Sequence, residues 1–388
     1  MRKKLALFLA LAMIAAMFAG CATQTAETPA ETTPAQEAEA TPEPSASAEA
    51  TTDEGETFIF TDSCGREVEL PKNITRVAPS GSVAQMILYT VAPDLMVGWS
   101  SNPGGQTAAY IPEKYLSLPE FGQFYGSNVS LNMEALIAAQ PQVIIDLGDM
   151  KATHKDDMDS IQAQTGIPTI FIEANLDTFP QAYRTLGELL GCQETAEKLA
   201  SYIETTVADV RAIAATIPEA DRVSVMFGTG ETGLDCNAKG SIHADVIDLV
   251  GADNAVIVDE VSGKGGGNTI SLEQVMVFDP DVILFASGGP YATVGTDSAW
   301  QSVRAIAENK YYEIPMGPYN WLASPPSVNR IVGIKWLAQL LYPQYYDYDV
   351  AAETKTFYSL FWHYDLTDAE VDAFLANSTY KASGKTVN

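Results

Sequence analysis

The sequence predicts an α/β protein of two lobes, each built on a central parallel sheet and the two joined by one long helix. Three observations carry this. Apolar strand-like runs alternate with amphipathic helical runs in both halves of the chain. Between them, Thr178 through Ile217 keeps helical periodicity almost without a break. One short passage is also written twice, "SLNMEALIAAQPQVIIDLG" at Ser130–Gly148 and "SLEQVMVFDPDVILFASGG" at Ser271–Gly289. At 388 residues the chain is longer than one hydrophobic core usually serves, which agrees with two lobes.

Taken in order, "TFIFTDSCGREVELP" alternates apolar and polar residues around Ser63-Cys64-Gly65 and predicts a hairpin. "NITRVAPSGSVAQMILYTV" predicts a short strand, a Pro-Ser-Gly-Ser turn and a helix, and "LMVGWSS" a further strand. A helix from Met133, a strand over Val143–Leu147 and the strand in "IPTIFIEA" complete the first lobe. The second begins at "RVSVMFG", repeats the helix-strand alternation and closes on the helix of "SVNRIVGIKWLAQLLYP". In the repeated passage proline ends the helix, and the strand after it delivers Gly148 or Gly288-Gly289 to the edge of its lobe. Ligands of open parallel sheets bind at that edge, so each lobe is Rossmann-like and the ligand cleft is expected between the lobes.

The N-terminus "MRKKLALFLALAMIAAMFAGC" has the charged and apolar regions of a secretory signal, and ends at Ala19-Gly20 ahead of Cys21. That ending resembles the bacterial lipobox, with Phe18 where leucine is commonest, so Cys21 is the expected lipidation site. Residues 22–56 are dominated by Ala, Thr, Glu, Pro, Ser and Gln, without Lys or Arg, and predict a disordered acidic tether. The remaining divisions are an N-terminal lobe over 57–177, connecting helices over 178–218, a C-terminal lobe over 219–345 and an extension over 346–388 that packs on the C-terminal lobe. A tether behind a lipid anchor places the body outside the cytoplasmic membrane, on its outer face. The net charge of -28 opposes nucleic acid as a partner. Cys64, Cys192 and Cys236 form no metal pattern and are read as buried and unpaired, or as supplying at most one disulfide.

On "FTDSCGREVELPKNITRVAPSGS", "LNMEALIAAQPQVII" and "SLEQVMVFDPDVILF", spaced around a single long helix, the body from about Phe58 to Tyr342 resembles the class III substrate-binding proteins of ABC importers. That family binds cobalamin, ferric siderophores, haem and some metal oxyanions. The resemblance implies a monomeric substrate-binding lipoprotein that captures a chelated metal complex and delivers it to a permease dimer with its cytoplasmic ATPase. A molybdate or tungstate receptor, or a lipid-anchored haem or siderophore relay without its own permease, is the alternative. It also implies that Glu134 and Glu273 dock on the permease, against the plainer reading of first-turn acids favoured by the helix dipole. Gln85 departs from the pattern, standing near a position where such proteins often carry glutamate.

Cleft residues are expected among Ser80, Ser82, Trp99, Phe124, Tyr125, Tyr319, Trp321 and Arg330. Ser80 and Ser82 precede a helix whose N–H groups suit a small anion. The four aromatics and Tyr125 offer contact area to a bulky ligand or pack between the lobes. Arg330 would reach an anionic ligand or pair with surface acids, while Ser327 and Asn329 would cap its helix. His154, His243 and His363 are scattered, with His154 either near an iron centre or a solvated helix-start residue. No protein-held metal and no cofactor is therefore expected, and the solute should arrive chelated or as an oxyanion. Neither a G-x-S-x-G elbow nor HExxH is present, so no catalysis is expected.

Overall fold

The computed structural model describes residues 55–379 apart from Gln106, Ser127 and Lys264. The signal segment with Cys21, all but the last two residues of the tether, and residues 380–388 lie outside the described residues. Chain order runs β1 (Thr57–Thr61), β2 (Glu67–Pro71), β3 (Val77–Pro79), α1 (Ser82–Val91), α2 (Glu113–Leu116), α3 (Met133–Ala139), β4 (Val143–Gly148), α4 (His154–Thr165), β5 (Thr169–Glu173), α5 (Phe179–Leu190) and α6 (Gln193–Ala214). It continues through β6 (Ser224–Thr229), β7 (Asp235–Cys236), α7 (Asp245–Leu249), β8 (Asp253–Asn254), β9 (Asn268–Thr269), α8 (Leu272–Phe278), β10 (Val282–Phe285), α9 (Tyr291–Val294), α10 (Arg304–Ala307), β11 (Tyr311–Glu313), α11 (Arg330–Leu341), α12 (Val350–Phe357) and α13 (Asp368–Leu375).

The repeated passage folds as a repeated unit. α3 is capped by Asn132, which accepts from Ala135 N–H at 3.1 Å, and α8 by Ser271, which exchanges bonds with Gln274 in a capping box. Each helix ends on a non-glycine residue in the left-handed region, Gln140 at φ 47° and Asp279 at φ 45°, just before proline. An arginine then satisfies the open carbonyls: Arg76 donates to Ala139 O and Gln140 O, Arg304 to Asp279 O. Each unit then closes on a strand buried along its length, β4 or β10.

β3, β4 and β5 form one parallel sheet in that order, and β1 and β2 pair antiparallel as a separate hairpin. In the second lobe β11, β10, β6 and β8 are parallel, with β7 and β9 added antiparallel. Alternation along the strands sends Val143, Ile145, Leu147, Ile170, Val225, Phe227 and Leu284 into one common core. Their neighbours Ile144 and Phe171 fall in a separate cluster on the first lobe, and Met226, Ile283 and Phe285 in another on the second. Both sheets thus turn one face toward the same apolar layer, and α1, α5, α6 and α11 contribute to it.

Three expectations change on inspection. The helical stretch is two helices broken at Gly191, whose φ of +68° ends α5, and α5 folds back on α6. The two approach closely at Gly187, where a Cβ would stand 2.6 Å from the Cβ of Ala196. Only α6 is therefore the long strut. "LMVGWSS" makes two single bridges, Val77 to Met96 and Trp99 to Glu120, instead of a strand. The extension packs on both lobes, not the second alone. Trp362 stacks on Tyr89 of α1 at 5.7 Å and meets Tyr319 at 5.7 Å, while Tyr358 Oη donates to Gly317 O and accepts from Trp321 Nε1 at 3.2 Å.

Trp362→Ala should cost about 3–5 kcal/mol, the usual loss on truncating a buried tryptophan, and chemical denaturation should stay a single transition for both lobes. A loss below about 1 kcal/mol would mean that the extension does not brace them.

Candidate functional site

A cleft of about 560 Å3 opens between the lobes, at the end of β4 on the first and against loops of the second that do not follow β6 or β10, so Gly148 lines it and Gly288-Gly289 do not. Its first wall is Gly81–Ala84 at the start of α1, Gln123, Tyr125, Gly126 and Asn128, and the turn from Asp146 at the end of β4 to Lys151 and His154 at the start of α4. The second wall is Ile242, His243, Gly263, Gly265 and Ala323–Pro326.

At the head of α1, Gly81 offers no side-chain cap, and the first N–H to bond back along the helix is that of Gln85, to Gly81 O at 2.9 Å. The first-turn N–H groups of Ser82, Val83 and Ala84 therefore precede any intrahelical acceptor, at a wall of the cleft. Beside them a chain of hydrogen bonds runs through the wall. Lys151 N–H donates to His154 Nδ1 at 2.8 Å, so the proton of the neutral ring sits on Nε2, which faces Tyr125 Oη at 3.0 Å. Tyr125 Oη donates to Asp146 Oδ2 at 2.7 Å, and Ser80 Oγ donates to Asp146 Oδ1. His154 is 1% exposed, and burial together with Lys151 holds its pKa down, so its 3.7 Å approach to Asp146 is no ion pair. Burial pushes the Asp146 carboxyl up to about 6 against the opposing pull of the Ser80 and Tyr125 hydroxyls.

Of the eight residues expected in the cleft, Ser82 and Tyr125 line it, and Ser80 supports it through Asp146. The others lie elsewhere. Trp99 is buried against Tyr89 with Nε1 bonded to Tyr115 O, and Trp321 is buried among Trp336, Tyr358 and Phe374. Phe124 belongs to the first lobe's outer cluster, and Tyr319 packs on Trp362. Large apolar rings gain more from an apolar core than from a wet cleft, and the shared layer holds Trp99 and Trp321 with Tyr319 against it, while Phe124 packs within the first lobe. Arg330 is fully buried, its Nη1 donating to Asp245 Oδ2 at 2.6 Å and Ile242 O at 3.2 Å, with the guanidinium over the Phe179 ring. It pairs with Asp245, an acid whose side chain is 36% exposed, and reaches the cleft wall only through the backbone of Ile242. Ser327 Oγ and the Asn329 amide are buried without a partner among the described residues, so neither side chain caps α11. Gln85 is interior too, accepting from Ser100 N, Ser100 Oγ and Ser101 N and donating to Tyr319 Oη at 3.0 Å. Cys64, Cys192 and Cys236 are free thiols, of which Cys236 alone is buried.

Sequence reasoning missed Asp146, Lys151 and His243. A carboxylate inside the otherwise apolar run Val143–Leu147 was the available signal for Asp146, since a charge on a fully buried strand needs dedicated partners. Glu134 and Glu273 are exposed at the second position of α3 and α8.

Two α/β lobes with a cleft between them define a solute-binding protein of the periplasmic kind. The family profile of periplasmic binding proteins matches residues 77–317, and the chain belongs to that family. No curated protein sequence matches it. Among solved structures it is similar to an ABC transporter solute-binding protein of Sulfurospirillum deleyianum, with 28% identity over 82% of this chain and 99% of that one and a TM-score of 0.75. A periplasmic solute-binding protein of Veillonella parvula is 24% identical over 83% and 98% of the chains, TM-score 0.70. The periplasmic protein MolA of Haemophilus influenzae, solved with molybdate, is 20% identical over 80% and 99%, TM-score 0.65, a likeness of fold. The chain is thus an extracytoplasmic solute-binding protein of the periplasmic kind.

The raised Asp146 pKa fixes a sign. Between pH 3.8, the ordinary carboxyl value, and about 6 the native state keeps a proton that the unfolded chain releases, so stability from this group is full below the window and lost as pH rises through it. Asp146→Asn should gain on the wild type by at most about 3 kcal/mol between pH 4 and pH 7. Urea denaturation of both proteins across that range checks this, and a constant difference would contradict it.

Proposed function

We propose that this protein is the receptor of an ABC importer for a compact anionic solute, either a metal oxyanion such as molybdate or tungstate or a small anionic chelate of a metal ion. The observation that carries this reading is the uncapped first turn of α1, with Lys151 on the same wall, in a cleft that Trp99, Phe124, Tyr319 and Trp321 do not line. Fixed N–H donors and a lysine suit oxygen-rich anions. A haem or corrinoid would want the apolar platform that Trp99, Phe124, Tyr319 and Trp321 do not supply here. Of the two acids on this wall, Asp146 is spent on Ser80 and Tyr125, and Asp149 offsets part of the Lys151 charge, which leaves the N–H donors of α1 as the main attraction.

In this reading Cys21 carries the lipid anchor, and Glu134 and Glu273 dock on the two permease subunits. Each acid shares its helix with an exposed apolar side chain, Ile137 at 58% and Val277 at 81% exposure, which suits a protein partner more than solvent. The receptor works as a monomer.

Titration calorimetry with molybdate, tungstate, nickel citrate and haemin tests the solute class. Lys151→Ala should weaken the bound anion about tenfold, the loss of one charge-assisted hydrogen bond, whereas tight haemin binding indifferent to Lys151 would defeat the reading. In cells, Glu134→Ala with Glu273→Ala should abolish uptake while affinity in solution stays unchanged. Uptake that survives the double substitution would remove the docking role.

A further inference from the structure

His243 stands in the second wall of the cleft with its ring held in one tautomer. Nδ1 lies 2.9 Å from the Ala323 carbonyl oxygen, which can only accept, so Nδ1 carries the proton and Nε2 presents its lone pair. The backbone is fixed on both sides: Arg330 Nη1 donates to Ile242 O at 3.2 Å, and His243 N–H donates to Ser241 Oγ at 3.2 Å. Gly265 lies beside the ring, where a Cβ would make ordinary contact with Cε1 at 3.4 Å. The residue is only 8% exposed, and no hydrogen bond to Nε2 occurs among the described residues.

A neutral imidazole whose other nitrogen donates to a backbone carbonyl is the form in which histidine binds metals. His154, on the opposite wall, is in the other form, with its Nε2 protonated and turned to Tyr125. Among the described residues no three His, Cys, Asp or Glu side chains converge to hold a bare ion. One nitrogen can still complete the coordination of a metal that arrives already chelated.

We propose that His243 Nε2 coordinates the metal of a small anionic chelate in the cleft, while the chelator's carboxylates face the first turn of α1 and Lys151. This rests on the reading of the cleft as a site for compact anionic solutes. In the tautomer that the Ala323 carbonyl selects, the Nε2 lone pair replaces one water on the chelated metal while Nδ1 keeps its proton. Arg330 is a positioning residue, acting through the carbonyl of Ile242.

The test uses the tag-free full chain with nickel citrate and molybdate in calorimetry, and copper citrate in electron paramagnetic resonance. His243→Ala should lower nickel citrate affinity at least about tenfold, the scale of losing a metal-site partner, and leave molybdate affinity within about twofold, which also certifies the variant's fold. Wild-type protein with copper citrate should show nitrogen hyperfine coupling that the variant lacks. Nickel citrate affinity indifferent to His243, or wild-type spectra without that coupling, would overturn the proposal even if the variant failed to fold. Binding of molybdate alone overturns it and leaves the anionic-solute reading standing, whereas binding of neither probe brings down both.

Discussion

Both sheets turn one face toward the same apolar layer, and the rest of the body is arranged by that sharing. Tyr89, Tyr183, Trp321, Trp336, Tyr358 and Trp362 lie in the layer between the lobes, none more than 1% exposed. Separating the lobes would return much of that surface to water. At about 25 cal/mol per Å2 and 150–250 Å2 per ring, each aromatic resists this by at most about 4–6 kcal/mol. Motions that expose the layer are therefore closed to the molecule, and what remains is a small sliding of packed helices against one another. The walls of the cleft are held facing each other at a nearly fixed separation. The cleft is a consequence of that separation more than of its own contacts.

The same layer explains where two of the buried polar groups stand. Gln85 bonds to the Ser100-Ser101 backbone and to Tyr319, tying a first-lobe loop to the second lobe. Arg330 reaches the backbone ahead of His243 from beneath the second wall. Asp146 gathers Ser80 and Tyr125 beneath the first. Gln85 and Arg330 are dry yet meet backbone donors or acceptors, while Asp146 lies on the other face of its sheet, beside the outer cluster of the first lobe, and meets two hydroxyls. Burying such groups elsewhere would cost more than it returned.

The same physics decides how far the sequence foretold this. The two lobes, the hairpin and the repeated helix-proline-strand unit were legible because period, caps and prolines are local signals, and the structure reproduces them at Asn132, Ser271, Gln140 and Asp279. The extension was misplaced because its amphipathic pattern marks a buried face without saying which lobe buries it. Site expectations departed in one direction: Trp99, Phe124, Tyr319, Trp321 and Arg330 sit in loops or at helix starts that sequence places near the cleft, yet none lines it, four being buried and Tyr319 half-buried. Position along the chain was read correctly, but side-chain direction depends on tertiary competition for the core. His243 was invisible for a related reason, since its tautomer is set by Ala323, distant in sequence.

The proposed capture of an anion by a receptor of net charge -28 looks paradoxical, and the resolution is one of distance. Exposed acids act through solvent, where charges farther apart than about 8 Å are largely screened at physiological salt. The donors at the head of α1 and Lys151 act at contact, in a partly desolvated cleft where an equal charge counts for more. Repulsion therefore bears on the rate of encounter, and the local donors set how long the solute stays. Salt should accordingly speed capture more than it loosens the bound state. A surface that repels its solute at long range still serves a receptor whose cleft must discriminate among anions, since only one that fits the fixed donors recovers at contact what the approach has cost.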